Sequence, residues 1–219
     1  MRQIKNLIRI ILLFTLSGVF IAQTHAQANI SNSDALLKRI NIQIAKHSVV
    51  HADFTQTKRM AALKRPLVTS GHLVYVRDHG VLWQIEKPFR IAYLLTGEKI
   101  VEINADGSRR ERGQREVPGL AQIGRVFQAM LGADNAVLHE YFEASALGAE
   151  RKWEITLKPR HPQIAQFLVQ LQLSGGRFVD AIRTTEAGGD ITHIRFTRNR
   201  GATLASESDK QIFLGKSGS

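Results

Sequence analysis

The sequence predicts a mainly β protein with helices (α+β), built on one strongly curved antiparallel sheet of about eleven strands. Apolar and polar residues alternate along most of the chain, which is typical of strands with one buried face. Turn residues recur every 8 to 12 residues or so, which favours antiparallel meanders over strand–helix–strand units. Because only two long segments have helical periodicity, we expect two helices to lie across the concave side of the sheet and to cover its apolar face.

The N-terminal residues have the features of an export signal. The segment begins with three cations: Arg2, Lys5 and Arg9. They precede an uncharged, mostly apolar run at residues 10–22, which is shorter than the ~20 residues of a membrane span. Small residues allow cleavage after Ala26 or after Ala28, and we favour the second. We therefore predict a signal peptide at residues 1–28 and one exported domain at residues 29–219.

Composition and charge narrow the classes of function. The chain has 219 residues, 43% of them hydrophobic, a net charge of +11 and no cysteine. The lack of cysteine excludes thiol catalysis, disulfide scaffolds and iron–sulfur or zinc–thiolate sites. It also excludes a lipid-modified N-terminal cysteine, so the protein is not expected to be a lipoprotein itself. Removal of the signal peptide lowers the net charge to +8, which in an exported chain favours anionic lipid or acidic partners over nucleic acid.

The exported domain is predicted to begin with an amphipathic helix that ends near Lys46. Ser33 can cap this helix, and Asp34 is favourable near its positive end. The apolar residues form one stripe at helical spacing: Leu36, Leu37, Ile40 and Ile44. We expect this stripe to pack on the sheet.

Beyond His47 the apolar period changes to two, which marks the start of the strands. The residues predicted to face inward are Leu73 and Tyr75; Val81, Trp83 and Ile85; Ile91, Tyr93 and Leu95; Trp153, Ile155 and Leu157; and Phe167, Val169, Leu171 and Leu173. Later strands are predicted near residues 178–185, 191–198 and 211–214. No repeat or linker divides the pattern, so a single domain is predicted.

A second amphipathic helix is predicted at residues 118–134, between two groups of strands. Pro118 suits its first turn and Gly132 its end. Its apolar face would consist of Leu120, Ile123, Val126, Phe127, Met130 and Leu131. We expect this face to cover the sheet together with the first helix.

The sequence holds no convincing catalytic or metal-binding motif. Gly119-x4-Gly124 resembles the start of a phosphate loop, but Arg-Val follows in place of Lys and Ser or Thr. Neither a Gly-x-Ser-x-Gly elbow nor a His-Glu-x-x-His pair is present. His47 and His51 are four residues apart, but the predicted helix ends between them, so they do not share a ligand face. We predict no enzyme, no cofactor and no metal site.

A basic cluster follows the turn at residues 106–107. It consists of Arg109, Arg110, Arg112 and Arg115. One interpretation is a solvated loop, and the other is a docking surface for an acidic partner or for lipid headgroups. Because the cluster lacks interleaved aromatic residues, we exclude binding of single-stranded nucleic acid.

Several short motifs follow one another in a recognisable order. They are Phe54-x-Gln56, Ser70-Gly71-x-Leu73, Arg77 six residues before Trp83, Lys87-Pro88, Gly97-Glu98-Lys99 and Trp153-x-Ile155-x-Leu157-Lys158-Pro159. Their order and spacing resemble the periplasmic outer-membrane lipoprotein carrier (LolA) family over most of the chain, about residues 33–214. One departure is that Asp78-His79-Gly80 follows Arg77, where the family often has proline.

The resemblance implies an incomplete antiparallel barrel with a helical lid over an apolar cavity, in a soluble periplasmic protein expected to be a monomer. It also implies that the cavity takes acylated lipoprotein cargo from an inner-membrane ABC-type release complex. The cargo would then pass to an outer-membrane acceptor lipoprotein. The alternatives are a carrier for another acylated envelope lipid and a non-transporting lipid-sensing module of the same fold.

The resemblance also implies roles for individual residues. The family's lid-latching arginine corresponds to Arg77, whose guanidinium would donate hydrogen bonds to backbone carbonyls of the lid; the alternative is a surface ion pair. The apolar lid residues would be Leu37, Ile40, Phe127, Met130 and Leu131. The cavity would be lined by Val81, Trp83, Ile85, Tyr93 and Leu95. A register shift of one residue would turn the opposite strand face inward.

Overall fold

The strands of the computed structural model, which describes residues 22–96, 99–113, 129 and 135–214, all belong to one open antiparallel sheet. In chain order they are β1 (Val49–Arg59), β2 (Leu67–Val76), β3 (Gly80–Lys87), β4 (Ile91–Leu95), β5 (Lys99–Asn104), β6 (Arg109–Gly113), β7 (Phe142–Ala149), β8 (Lys152–Pro159), β9 (Leu168–Gly175), β10 (Val179–Glu186) and β11 (Ile191–Ala202). The order across the sheet is β6-β5-β4-β3-β2-β1-β11-β10-β9-β8-β7. The predicted fold class and the prediction of about eleven antiparallel strands are therefore confirmed.

The sheet consists of two meanders that are joined through their first and last strands. Short hairpin connections pair each strand with its neighbour along the chain, as expected for antiparallel strands. The exception is the connection from β6 to β7, because these consecutive strands do not pair; the two meanders meet instead where β1 pairs with β11 in the middle of the sheet. β6 and β7 are consequently the two edges of the sheet.

Four helices accompany the sheet in the part of the chain that the structure describes: α1 (Ala22–Ile44), α2 (Asn135–Tyr141), α3 (Pro162–Ala165) and α4 (Glu207–Leu214). α1 is the predicted first helix, and it covers the inner face of the sheet with its apolar stripe. Apart from Ala129, which is helical and buried, the predicted helix at residues 118–134 lies outside the described residues. α2 directly follows that segment and was not predicted.

The predicted cap at Ser33 is wrong, because α1 already begins at Ala22. The Ser33 hydroxyl instead accepts a hydrogen bond from the backbone N–H of Ala146, with 2.8 Å between the two atoms. Ala146 lies on β7, and an edge strand has backbone groups without a ladder partner on its outer side. Ser33, which the sequence predicted as a helix cap, thus attaches α1 to an edge strand of the sheet.

The strand predicted at residues 211–214 is also wrong, since these residues form the second half of α4. A capping box begins this helix: the Ser206 N–H donates to Asp209 Oδ2 (3.0 Å), and the Asp209 N–H donates to Ser206 Oγ (3.1 Å). His51 Nε2 lies 3.0 Å from Asp209 Oδ1 and links the helix to β1. The four residues 211–214 were too few for the period of the apolar residues to distinguish a strand from a helix.

Replacing the cap is expected to loosen α4 selectively. Ser206→Ala removes the side-chain acceptor for the Asp209 N–H, which should destabilise the protein by about 1 kcal/mol. Amide hydrogen exchange at residues 207–214 should accelerate, while exchange in β1 stays slow. Thr203→Ala, in the exposed turn before the helix, is the control and should leave exchange unchanged. Equal exchange in Ser206→Ala and Thr203→Ala would contradict the capping role.

Two residues predicted to face inward on β9 are exposed: Phe167 by 71% and Val169 by 52%. Phe167 precedes the strand, and the pairing with β10 is irregular at the strand start, where Leu168 faces Glu186 and Gln170 faces Thr185. Val169 is thus an additional residue in a β-bulge, which reverses the alternation before Leu171 and Leu173 resume it. The prediction failed here because a bulge leaves no mark in the apolar pattern.

The sheet is apolar on both faces near its centre. On the inner face, the rings of Phe54 and Trp83 stack with their centroids 3.8 Å apart, and Phe196 meets Trp83 edge-on at 6.3 Å. On the outer face, a second core contains Val49, Val74 and Val76, against which Ile212 and Phe213 of α4 pack. A run of consecutive apolar residues, as at residues 73–76, is typical of strands that are covered on both faces.

Candidate functional site: the interior beneath the first helix

The candidate site is the interior between α1 and the inner face of the sheet. All four residues of the predicted helical stripe are buried: Leu36 (4% exposed), Leu37 (5%), Ile40 (0%) and Ile44 (5%). They belong to one core cluster with the aromatic residues of the sheet. The spacing of the stripe explains this, because residues three and four apart lie on one side of a helix.

The five strand residues predicted to line the cavity all face this interior. Val81 and Trp83 are buried, and the following partly buried residues pack on the same cluster: Ile85, Tyr93 and Leu95. The register pairs Val81 with Leu95 and Trp83 with Tyr93 across β3 and β4. Strict alternation on both strands therefore presents one set of side chains to α1.

Arg77 lies beside the C-terminal end of α1. Its Nη2 donates hydrogen bonds to the carbonyl oxygens of Ala45 (2.7 Å) and His47 (3.1 Å), and its backbone N–H donates to Ser48 O (2.8 Å). Both carbonyls belong to the turn that follows Ile44, the last residue of α1, and the guanidinium satisfies them with two N–H donors at once. The side chain forms no ion pair with any carboxylate that the structure describes.

The β2–β3 hairpin places Arg77 at this position. Arg77 directly follows β2, and the turn continues through Asp78, whose φ is 63°, to Gly80, whose φ is 139°. A side chain at Gly80 would also collide with the carbonyl oxygen of Leu95 on β4, because an added Cβ would lie 2.1 Å from it. The turn therefore depends on glycine, and it points Arg77 towards the end of the helix.

Polar contacts along α1 also connect it to turns in the second meander, β7–β11. Gln43 Nε2 donates to the carbonyl oxygens of Gly176 (2.5 Å) and Glu150 (3.1 Å). Arg39 Nε forms an ion pair with the Glu150 carboxylate at 3.2 Å. With the contact from Ser33 to β7, these bonds attach α1 to the β7–β8 and β9–β10 turns.

These three tethers were not predicted from the sequence. Their partners are mostly backbone carbonyls and amides more than a hundred residues away in the chain. Every residue has such groups, so the sequence does not indicate which of them will be bound. Only the pair of Arg39 and Glu150 involves two charged side chains, and no local spacing connects them.

His47 lies just after the turn that ends α1 and is buried, with 6% of its surface exposed. Its ring stacks on Phe178 with 4.8 Å between centroids, and Arg177 Nε donates to His47 Nε2 at 3.3 Å. Burial lowers the pKa of His47 below its usual 6.5, and the positive charges of Arg177 and Lys46 lower it further. The residue is therefore neutral at pH 7, and its protonation would add a cation beside Arg177, Lys46 and Arg77 at the end of α1.

Stability is expected to depend on His47 in acid. The unfolded chain protonates this residue below pH 6.5, whereas the folded protein resists protonation until lower pH, so the stabilisation is complete above pH 6.5 and is lost as the pH falls. The contribution is at most about 1.4 kcal/mol per pH unit. In His47→Phe, which retains a ring against Phe178, the free energy of unfolding measured in urea should fall less between pH 7.5 and pH 5 than in the unmodified protein. An identical loss in the variant and the unmodified protein would contradict this assignment.

The space beneath the end of α1 is small. Beneath the end of α1 there remains a space of about 20 Å³, which is lined by residues such as Ile44, Phe178 and Phe196. Sites that hold small molecules usually measure about 300–1,000 Å³. In this arrangement the side chains of α1 cover the inner face of the sheet.

Several predicted site residues lie outside the described residues: Phe127, Met130, Leu131 and Arg115.

Arg109, Arg110 and the backbone of Arg112 are described, and they belong to edge strand β6, so the interpretation of this segment as a loop is wrong. The strand forms because β5 supplies opposite charges, as in the pairing of Glu102 with Arg110 and the 2.7 Å ion pair of Lys99 with Glu111. Arg109 and Arg110 are exposed on this strand.

The described residues contain neither a cluster that could hold a metal ion nor a helix that could cross a membrane. No three histidine, aspartate or glutamate side chains come together there in a way that could hold a metal ion. Within residues 22–96, 99–113 and 135–214, no helix has both the length and the apolar character needed to cross a bilayer.

Comparison with known proteins gives one family and several solved structures. A family model described as outer membrane lipoprotein carrier protein LolA-like matches residues 26–209. A LolA superfamily protein from Nitrosomonas europaea is similar in structure with a TM-score of 0.47 and 8% identity, over 83% of this chain and 96% of that one.

Two further structures are similar at comparable levels. The MucA/MucB complex of Pseudomonas aeruginosa has a TM-score of 0.43 and 12% identity, over 85% of this chain and 61% of that one. Lipoprotein LppX of Mycobacterium tuberculosis has a TM-score of 0.37 and 10% identity, over 75% and 94%. At these identities the likeness concerns the fold alone. No curated protein sequence is similar enough to count as a match.

Proposed function

The chain belongs to the outer membrane lipoprotein carrier protein LolA-like family, and we propose that it is a soluble periplasmic carrier for the acyl chains of lipoproteins. The signal peptide at residues 1–28 directs its export. It receives acylated cargo from an inner-membrane ABC-type release complex and passes it to an outer-membrane acceptor lipoprotein. It acts as a monomer and performs no chemical reaction.

The observation that carries this proposal is the way in which α1 is attached. Its apolar stripe covers the apolar inner face of the sheet, while its described polar tethers are a few bonds through Ser33, Arg39 and Gln43, with Arg77 binding the turn that follows the helix. Such a helix can leave the sheet as a unit, because few hydrogen bonds have to break. The surface that it uncovers, around Trp83 and Phe54, is apolar and suits an alkyl chain.

The energetics fit reversible binding. Burial of a 16-carbon acyl chain gains roughly 12 kcal/mol, at about 0.8 kcal/mol per methylene. Exposure of the four stripe residues costs about 6–12 kcal/mol, at about 1.5–3 kcal/mol per large apolar side chain. The two quantities nearly cancel, so the acyl chain and the helix compete for one surface, and cargo can leave again.

The cargo can be identified by mass spectrometry of whatever the protein retains. The mature chain is purified from the periplasm under conditions that preserve complexes, and the bound material is then analysed. An acylated protein is the expected result. A free phospholipid or glycolipid would contradict the lipoprotein assignment and would favour a carrier for another acylated envelope lipid. A protein that is empty and also fails to bind an added acylated peptide would contradict both.

A further inference from the structure

The outer face of the sheet, opposite the lid helix, has an apolar stripe where a solvent-facing surface is usually polar. Leu82 alternates with the inward residues Val81 and Trp83, so it points outward. Ala92 pairs with Ile103 on the neighbouring strand, and both share this outward face. The stripe therefore crosses β3, β4 and β5.

α4 covers only a part of this outer apolar surface. Its Ile212 and Phe213 pack with Leu82 on the cluster of valines on β1 and β2. Beside the helix, a groove of about 490 Å³ remains open between α4 and strands β3–β5. Leu82, Ala92 and Ile103 line its floor, and the following residues of α4 line one wall: Ser208, Gln211 and Ile212. This volume lies in the range of small-molecule sites.

One end of the groove is cationic. Arg90 directly precedes β4, and Arg109 begins β6 opposite Ile103, so the register brings both arginines to the same end of the sheet. The described lining contains these two arginines and no carboxylate.

We propose that this groove is a second binding site, which takes a free fatty acid. The alkyl chain lies on Leu82, Ala92 and Ile103, and the carboxylate faces Arg90 and Arg109. A guanidinium matches a carboxylate with two parallel hydrogen bonds, which explains why the site selects an anionic headgroup. The site is on the opposite face of the sheet from Trp83, and it requires no movement of α1. It is therefore independent of the carrier function.

The test uses 12-bromododecanoic acid below its micelle concentration, because its bromine quenches indole fluorescence at short range. Gln211→Trp places a reporter on the α4 wall, whereas the native Trp83 and Trp153 are buried on the inner face. The protein tested is the full mature chain, residues 29–219. We expect saturable quenching of the additional emission that distinguishes Gln211→Trp from the unmodified protein.

Further variants test the two parts of the site. Combined Arg90→Ala and Arg109→Ala substitutions should weaken binding about fivefold, as expected for two exposed charge pairs. Both side chains are exposed, so the fold should persist. Arg65→Ala, which removes an exposed arginine outside the groove, should leave affinity unchanged. Ala92→Phe should fill the groove and abolish the quenching.

Four outcomes would overturn the proposal. The first is an absence of saturable quenching, and the second is quenching of only the native tryptophans, which would place the fatty acid in the interior. The third is equal affinity for 12-bromododecanol, which would show that the arginines do not recognise the headgroup. The fourth is binding that is seen only after removal of residues 215–219, which would assign the groove to the chain's own C-terminal segment.

Discussion

Arg77→Leu is expected to bind acylated cargo more tightly than the unmodified protein and to release it more slowly. The two hydrogen bonds from Nη2 to Ala45 O and His47 O hold the turn that follows α1. We expect them to stabilise the empty state, in which α1 lies on the sheet. Their loss should shift the balance towards the open, loaded state by about 2 kcal/mol, or roughly 30-fold in affinity. Transfer of a fluorescent acylated peptide from the protein to acceptor vesicles measures the release rate directly.

Two controls separate the latch from a general effect of charge. Arg77→Lys retains the cation but loses the planar fork, so its release rate should lie between those of Arg77→Leu and the unmodified protein. Arg183→Leu removes an exposed arginine from the outer face of β10 and should release cargo normally. If Arg77→Leu released its cargo at the normal rate, the latch assignment would be wrong.

A disulfide between α1 and β7 is expected to abolish cargo binding. Ser33 Oγ lies 2.8 Å from the Ala146 nitrogen, so Ser33→Cys combined with Ala146→Cys places two thiols within reach of each other. The chain has no other cysteine, so no competing disulfide can form. A crosslink adds about 2–4 kcal/mol to the cost of opening, which should weaken acyl binding roughly 30- to 1,000-fold.

The crosslink can be reversed, which provides an internal control. Binding of a fluorescent acyl chain should be weak in the oxidised double variant and should return on addition of dithiothreitol. Each single variant should bind equally well with and without reductant. Equal binding by the oxidised and reduced double variant would contradict the proposal that α1 must leave the sheet. This experiment does not involve the outer groove, so its failure would leave the fatty acid site untouched.

The sequence predicted the orientation of side chains best in strands where apolar and polar residues alternate regularly. Val81, Trp83 and Leu95 were assigned to the inner face by alternation alone, and the structure places them there. The same reasoning failed at Val169, where a bulge inserts one residue into the alternation. It failed again at residues 211–214, where a helix of only two turns covers an apolar patch that the inner-face pattern does not reveal.

Local patterns in this chain determined which residues form strands, which face of each strand is apolar and where the first helix presents its stripe. These properties depend on neighbours two to four residues away, so a single sequence contains them. Arg77 was identified by resemblance, but its two acceptors were visible only in the folded chain.

Tertiary structure alone decided the pairing of β1 with β11, the attachment of α1 through Ser33 and Gln43, and the groove beside α4. Each of these joins segments that are far apart along the chain. Most of the tethers also end on backbone groups, which every residue possesses and which therefore leave no trace in the order of side chains.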